Sequence, residues 1–155
     1  MAAPGSDRPR VRVAALMLLN GKVVTVRHRA GSAVYHLLPG GGVDWGETLE
    51  AALLREVAEE TGLSATLGPL LFVNDTIDPN GRRHVINLTF GATVTGGEIT
   101  DRPADTRVEA VDLVGVDDLG SLDLRPPMAA ALIGAIGAGC RPESQYLGPL
   151  FTTGT

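Results

Sequence analysis

Several things are scarce in this sequence, and each scarcity excludes something. There is one cysteine, Cys140, so no internal disulfide can form and a reducing, cytoplasmic setting is expected. Nothing near Cys140 in the sequence would activate its thiol. The apolar run Met128–Cys140 has 13 residues, short of the roughly 20 that a spanning helix needs, so no membrane partner is expected. Basic residues do not outnumber acidic ones: 13 against 18, a net charge of −5. That balance argues against binding nucleic-acid backbones. It also means that any phosphate substrate would need local arginines or metal ions to offset repulsion. Aromatics are only 4%, leaving Tyr35, Trp45 and Phe72 as candidates to stack on a base, a role that competes with plain packing. His28, His36 and His84 show no zinc-like spacing and read as polar positions or substrate contacts.

What is present describes a globular chain. At 155 residues with 44% hydrophobic content, the length suits one domain with a sizeable core. Met1–Arg10, with Pro4, Gly5, Asp7 and Pro9, reads as a flexible leader rather than a signal peptide, leaving 11–155 as the domain. Val11–Leu19 and Lys22–Arg27 are β-prone runs around Asn20-Gly21, a strong hairpin signal because both residues tolerate positive φ. A short strand, Tyr35–Leu38, leads into Pro39 and a glycine triplet. Leu67–Ile77 and His84–Val94 form a second hairpin through Asp78-Pro79-Asn80-Gly81, and Gly96-Gly97 reads as a turn or bulge. Val108–Val116 is a further strand, Asp117–Leu119 a short helical turn, and Met128–Ile136 a last helix opened by Pro126-Pro127. The tail from Arg141 lacks periodicity; its apolar stretch Tyr146–Phe151 would pack on its own domain or across a dimer interface. The order of elements predicts an α+β chain, an α/β/α sandwich around a mixed β-sheet.

The most informative stretch is Gly40–Leu63, GGGVDWGETLEAALLREVAEETGL. Thr48 is a candidate N-cap, Gly62 a left-handed stop, and Leu49, Leu53 and Val57 the core stripe of the helix between them. Glu56, Glu59 and Glu60 fall within roughly a 100° arc beside that stripe. Like charges so placed cost a few tenths of a kcal/mol per pair, so either the face is simply solvated or something positive sits against it. A hard divalent cation takes oxygen ligands and bridges carboxylates to phosphate.

Read as Gly41-x5-Glu47-x7-Arg55-Glu56-Val57-x-Glu59-Glu60-x-Gly62-Leu63, the stretch resembles the complete signature of the Nudix hydrolases. Seven fixed identities would coincide by chance about once in 10⁸ windows, so the resemblance outweighs the solvated-face reading. Val114–Leu119 is similar to the segment that family members place after their last strand, although Leu113 stands where an aromatic is common.

The resemblance implies the family's three-layer fold and an Mg²⁺-dependent hydrolase, with Mn²⁺ as a substitute cation. It implies metal ligation by the Gly40 carbonyl, Glu56 and Glu60, with Glu59 a ligand or a participant in water activation. Arg55 and Glu47 would orient the carboxylates. The general base would be Glu59 or Glu60, with Glu98, Asp101 and Glu109 as outside candidates. Arg27 and Arg29 would either reach a substrate phosphate or remain solvated charges; for Arg82 and Arg83 exposure without function is expected. The implied substrate is a small nucleotide: a nucleoside diphosphate linked to another group, such as ADP-ribose or a nucleotide sugar, a dinucleoside polyphosphate, or a nucleoside triphosphate. The resemblance also leaves a homodimer open. The alternatives are a nucleotide-binding sensor without turnover and an isoprenoid diphosphate isomerase, for which Cys140 is poorly placed.

Overall fold

The computed structural model describes residues 8–141 and 143–151. In chain order the elements are β1 (Arg10–Leu16), β2 (Leu18–Leu19), β3 (Lys22–Ala30), β4 (Ala33–Leu37), β5 (Gly40–Gly42), α1 (Leu49–Thr61), β6 (Leu63–Ile77), β7 (His84–Gly97), β8 (Val108–Val114), a 3₁₀ segment Val116–Ser121, α2 (Ala129–Gly137) and β9 (Gln145–Pro149). One sheet has the order β5-β1-β7-β6-β9. It is mixed, because β1 and β7, and β6 and β9, run parallel while the other neighbours are antiparallel. The second sheet is antiparallel, with β3 pairing β2, β4 and β8.

The alternation of β1 explains the layering. Val13, Ala15 and Met17 face Ala52, Leu53 and Val57 of α1, whereas Ala14 and Leu16 face Met128 and Leu132 at α2. Both faces of one strand are therefore buried, which accounts for its near-continuous apolar run. Each fully buried valine, leucine or methionine among them contributes roughly 1.5–3 kcal/mol. The result is the expected α/β/α sandwich.

Asn20 and Gly21 have φ of 52° and 75°, as a type I′ hairpin requires. Asp78 builds the second turn: its N–H donates to the Arg83 carbonyl, while its own carbonyl and carboxylate accept from the N–H groups of Gly81 and Asn80.

Three expectations need correction and two are sharpened. Residues 1–7 of the expected leader lie outside the described residues, and Arg10 already pairs with Val85 in β1. The glycine triplet that follows Pro39 forms an edge strand on β1. Of the expected turn or bulge at Gly96-Gly97 it is the bulge that forms: both glycines stay in β7 opposite Ser64 and Leu63, next to a register shift between Ser64 and Ala65. A Cβ on Gly97 would lie 2.4 Å from the Gly62 carbonyl oxygen, so that glycine serves close backbone approach rather than a chain reversal. Leu49 is 38% exposed: the first turn of α1 extends past the sheet, and Ala52 takes its place in the stripe. The tail from Arg141 carries β9, and Tyr146–Phe151 lies on its own chain, with Leu147 and Leu150 packed into the core beside α2.

Candidate active site

Helix α1 starts and stops where its caps require. The Thr48 side chain accepts from Ala51 N–H, and Gly62 ends the helix in the left-handed region with its N–H on the Ala58 carbonyl. This frame separates the three glutamates by depth. Glu60 is 2% exposed, Glu56 is half-buried, and Glu59 lies at the surface.

Glu60 points at β5 and accepts a 2.8 Å hydrogen bond from Gly40 N–H. An extended residue turns its N–H and carbonyl toward the same edge, so the Gly40 carbonyl also faces α1. Both glycines before the helix are sterically required. A Cβ on Gly40 would lie 2.0 Å from the Val13 carbonyl oxygen, and one on Gly41 would lie 2.4–2.6 Å from the Glu56 carboxyl atoms. Gly40→Ala is expected to cost about 3 kcal/mol, the upper end for overpacking, because backbone cannot move aside. Gly41→Ala should cost less stability, since a side chain can swing, yet it should displace Glu56 and lower activity. Urea unfolding and steady-state rates on the two variants separate these effects.

Arg55 organises the other carboxylates. Its Nε and one Nη donate to the two Glu47 oxygens at 2.8 and 2.9 Å. Its remaining donors reach Glu56 at 2.9 Å, Glu59 at 3.4 Å and the Gly42 carbonyl at 3.2 Å. Glu47 in turn accepts from Asp44 N–H at 3.0 Å, which fastens the loop ahead of α1. Bonding to Arg55 holds the Glu47 carboxyl at about 2 and raises the guanidinium's own pKa. Burial pushes the Glu56 carboxyl up against the opposing pull of Arg55. Burial also pushes Glu60 to about 7; the Gly40 bond and Arg12 pull it back, while Glu56 and Asp105 push it higher.

A cleft of about 480 Å³ opens beside Glu60. Arg10, Arg12, Arg83, Arg107 and Arg125 line it, against Glu60, Asp78 and Asp105. Arg12 donates to the Leu38 carbonyl at 3.1 Å, and its burial lowers its pKa. Asp105 grips Arg107 through contacts of 2.7–3.2 Å, which keeps the Asp105 carboxyl below its ordinary range. The loop carrying this pair is tied to the end of α1 by Thr100 N–H on the Thr61 carbonyl and Ala104 N–H on the Glu59 carbonyl. Tyr35 also lines the cleft, with the Arg125 guanidinium 4.2 Å from its ring centre and His28 5.5 Å away.

Other expected site residues are placed elsewhere. Arg27 and Arg29 are not in the cleft lining. They pair with Glu109 at 3.1 and 2.8 Å, and Arg27 also with Asp112 at 3.4 Å. Alternation on β3 explains this, since the intervening His28 faces the cleft. Glu109 is thereby occupied, and none of Glu56, Glu59, Glu98 and Asp101 lines the cleft; of these, Arg55 ties Glu56 and Glu59 to Gly42 at the cleft's edge. Phe72 is buried in the core, whereas Trp45 is fully exposed outside the cleft. Arg83, expected to be exposed without function, lines it; Arg82 does not. Cys140 packs beside α2, where burial raises its thiol pKa, so an isomerase reading lacks its cysteine. Sequence reasoning missed Arg12, Asp105, Arg107 and Arg125. For Arg12 a signal existed, a charge inside an otherwise apolar strand.

A divalent cation fits these residues. Glu60 makes no ion pair among the described residues, while burial disfavours its charge. Two carboxylates and a carbonyl are hard oxygen donors. Among the described residues no three His, Cys, Asp or Glu side chains converge to cage a metal unaided. Magnesium is commonly held through one or two carboxylates plus substrate phosphates, so it does not need such a cage.

Comparisons agree with this reading of the fold and signature. A family model described as the NUDIX domain matches residues 8–133. A solved MutT NUDIX hydrolase from Burkholderia pseudomallei is 34% identical, with a TM-score of 0.68, covering 81% of this chain and 96% of that one. An ADP-ribose pyrophosphatase from Methanocaldococcus jannaschii is 43% identical over 76 residues, 49% of this chain and 45% of that protein. A putative 8-oxo-dGTP diphosphatase from Bacillus subtilis is 39% identical over 61 residues, 39% of this chain and 38% of that protein. These matches span less than half the length of either curated relative. The chain belongs to the Nudix hydrolase family.

Proposed function

We propose that the chain is a divalent-cation-dependent hydrolase that cleaves the phosphoanhydride bond of a nucleoside diphosphate linked to a further group. The observation that carries this reading is the meeting of two opposite features in one cleft, a buried carboxylate on α1 and five arginines from the surrounding elements. A diphosphate is the small group that needs both. Its oxygens pair with guanidinium forks, and a bound cation would supply further charge neutralisation and a more acidic water.

Each residue then has a task. Glu56, Glu60 and the Gly40 carbonyl hold the cation, Mg²⁺ with Mn²⁺ as substitute. Arg55 and Glu47 fix the direction of Glu56 and of the loop before α1. Glu59, exposed and only loosely held by Arg55, takes the proton from the attacking water. Arg12, Arg83 and Arg107 receive the phosphates, and Asp105 positions Arg107.

ADP-ribose is the lead substrate, supported by the relative of that activity. Nucleoside triphosphates are the second class. A panel of ADP-ribose, nucleotide sugars, dinucleoside polyphosphates and nucleoside triphosphates tests the choice, with released monophosphate, phosphate and pyrophosphate quantified. ADP-ribose is expected to yield AMP and ribose 5-phosphate at the highest kcat/KM. Pyrophosphate release from triphosphates alone would move the assignment to the second class. Nucleotide binding without release from any member would replace the enzyme reading by a sensor.

A further inference from the structure

The family match ends at residue 133, but the wall of the cleft does not. Every lining residue falls within the match except Leu150 and Phe151, which follow β9. That strand is firmly placed. It pairs parallel with β6 from Phe72↔Gln145 to Asp75↔Pro149. The Ser144 hydroxyl donates to the Leu70 carbonyl at 3.1 Å, and Leu150 N–H to the Asp75 carbonyl at 2.8 Å. The Tyr146 hydroxyl bonds the Asp75 carboxylate, and Leu147 and Leu150 pack into the core. The chain is therefore pinned up to the residue before Phe151, which emerges at the cleft 39% exposed.

Besides His28, two aromatic residues line the cleft, Tyr35 and Phe151, and they differ in what they already touch. Tyr35 is engaged by Arg125 and His28. Phe151 has no aromatic or cationic partner among the described residues. The arginines meet the charged part of a nucleotide; an uncovered ring suits its flat, uncharged part.

We propose that β9 is a substrate-recognition element that carries Phe151 to the cleft, where the ring packs on the nucleobase. This rests on the nucleotide-hydrolase reading above. Base–aromatic stacking makes a difference of roughly five- to a hundredfold in affinity on truncation to alanine.

The test compares wild type, Phe151→Ala and Phe151→Trp in calorimetric binding of AMP, GMP and ribose 5-phosphate, with thermal unfolding of each protein and kcat and KM on the best substrate of the panel. Phe151→Ala is expected to weaken binding of AMP or GMP about tenfold and to raise KM comparably, with kcat within about threefold of wild type. Phe151→Trp should restore both, and ribose 5-phosphate binding should be the same in all three. Unchanged monophosphate affinity in Phe151→Ala, in a protein whose wild type hydrolyses nucleotides, would overturn the inference. Equal losses for AMP and ribose 5-phosphate, with lowered thermal stability, would overturn it too, by making Phe151 a structural prop. A wild type that cleaves no nucleotide removes the underlying reading and the inference with it, and that failure is visible before any variant is made.

Discussion

Glu60→Gln is expected to make the cation-free protein more stable above pH 7 while lowering turnover roughly 10³-fold. The carboxyl titrates near 7 in the folded protein instead of 4.5 because burial penalises its charge. Below the unfolded value both states are protonated and nothing is lost. As pH rises above 4.5, the unfolded state ionises freely while the folded carboxyl must keep its proton up to about 7 or carry a buried charge. Stability therefore falls between about pH 4.5 and 7, by about 3 kcal/mol at 1.36 kcal/mol per unit. Glutamine keeps an oxygen for Gly40 N–H and carries no charge, so this segment of the pH dependence should flatten. Urea unfolding at pH 5 and pH 8 measures it: the variant should gain about 2–3 kcal/mol over wild type at pH 8 and little at pH 5. Added Mg²⁺ should stabilise wild type more than the variant, since a ligand stabilises only the state that binds it. A variant less stable than wild type at pH 8 would mean the buried charge is already compensated within the chain. The trade is the usual one, in which a site retains groups that folding alone would discard.

The second large effect is expected at Arg55. One guanidinium spans Glu47, Glu56, Glu59 and the Gly42 carbonyl. A lysine ammonium offers a point charge and cannot reproduce that fork. Arg55→Ala and Arg55→Lys should both lower kcat/KM by about 10–100-fold, the scale seen when partners that orient metal ligands are removed. The pH–rate profile separates orientation from mere packing. Burial already raises the Glu56 pKa and Arg55 is the leading influence against it. Removing Arg55 raises that pKa further, so the acid limb of the profile should shift to higher pH. A lowered plateau with an unmoved limb would reduce Arg55 to a structural part.

The sequence was most legible where chemistry and local geometry coincide. The bounds of α1 followed from Thr48, Gly62 and the apolar spacing, the first hairpin turn from Asn20-Gly21 and the second from the tetrad Asp78-Pro79-Asn80-Gly81. The contact between Glu47 and Arg55 was legible through the family signature, which fixes both within one stretch of chain. The arginine cleft was not, because its members come from β1, the β6–β7 turn, the loop before β8 and the segment before α2, and only packing brings them together. Arg27 and Arg29 were misleading for a related reason: nearness along β3 says nothing about which face a residue takes, and His28 between them holds the cleft-facing position. β9 was hidden because an edge strand interrupted by Gly148 and Pro149 shows no alternation. What orders it is β6, more than 70 residues earlier.

The account turns on a cation held at Glu60 beside a phosphate-binding cleft. The most direct test is the rate of nucleoside monophosphate release from ADP-ribose as Mg²⁺ is titrated, for wild type and Glu60→Gln side by side. The account predicts saturable dependence on Mg²⁺, loss of turnover on chelation, and a rate roughly 10³-fold lower in the variant, on the scale of several kcal/mol for Lewis-acid stabilisation. Release that persists in chelator, at equal rates in the two proteins, would contradict it.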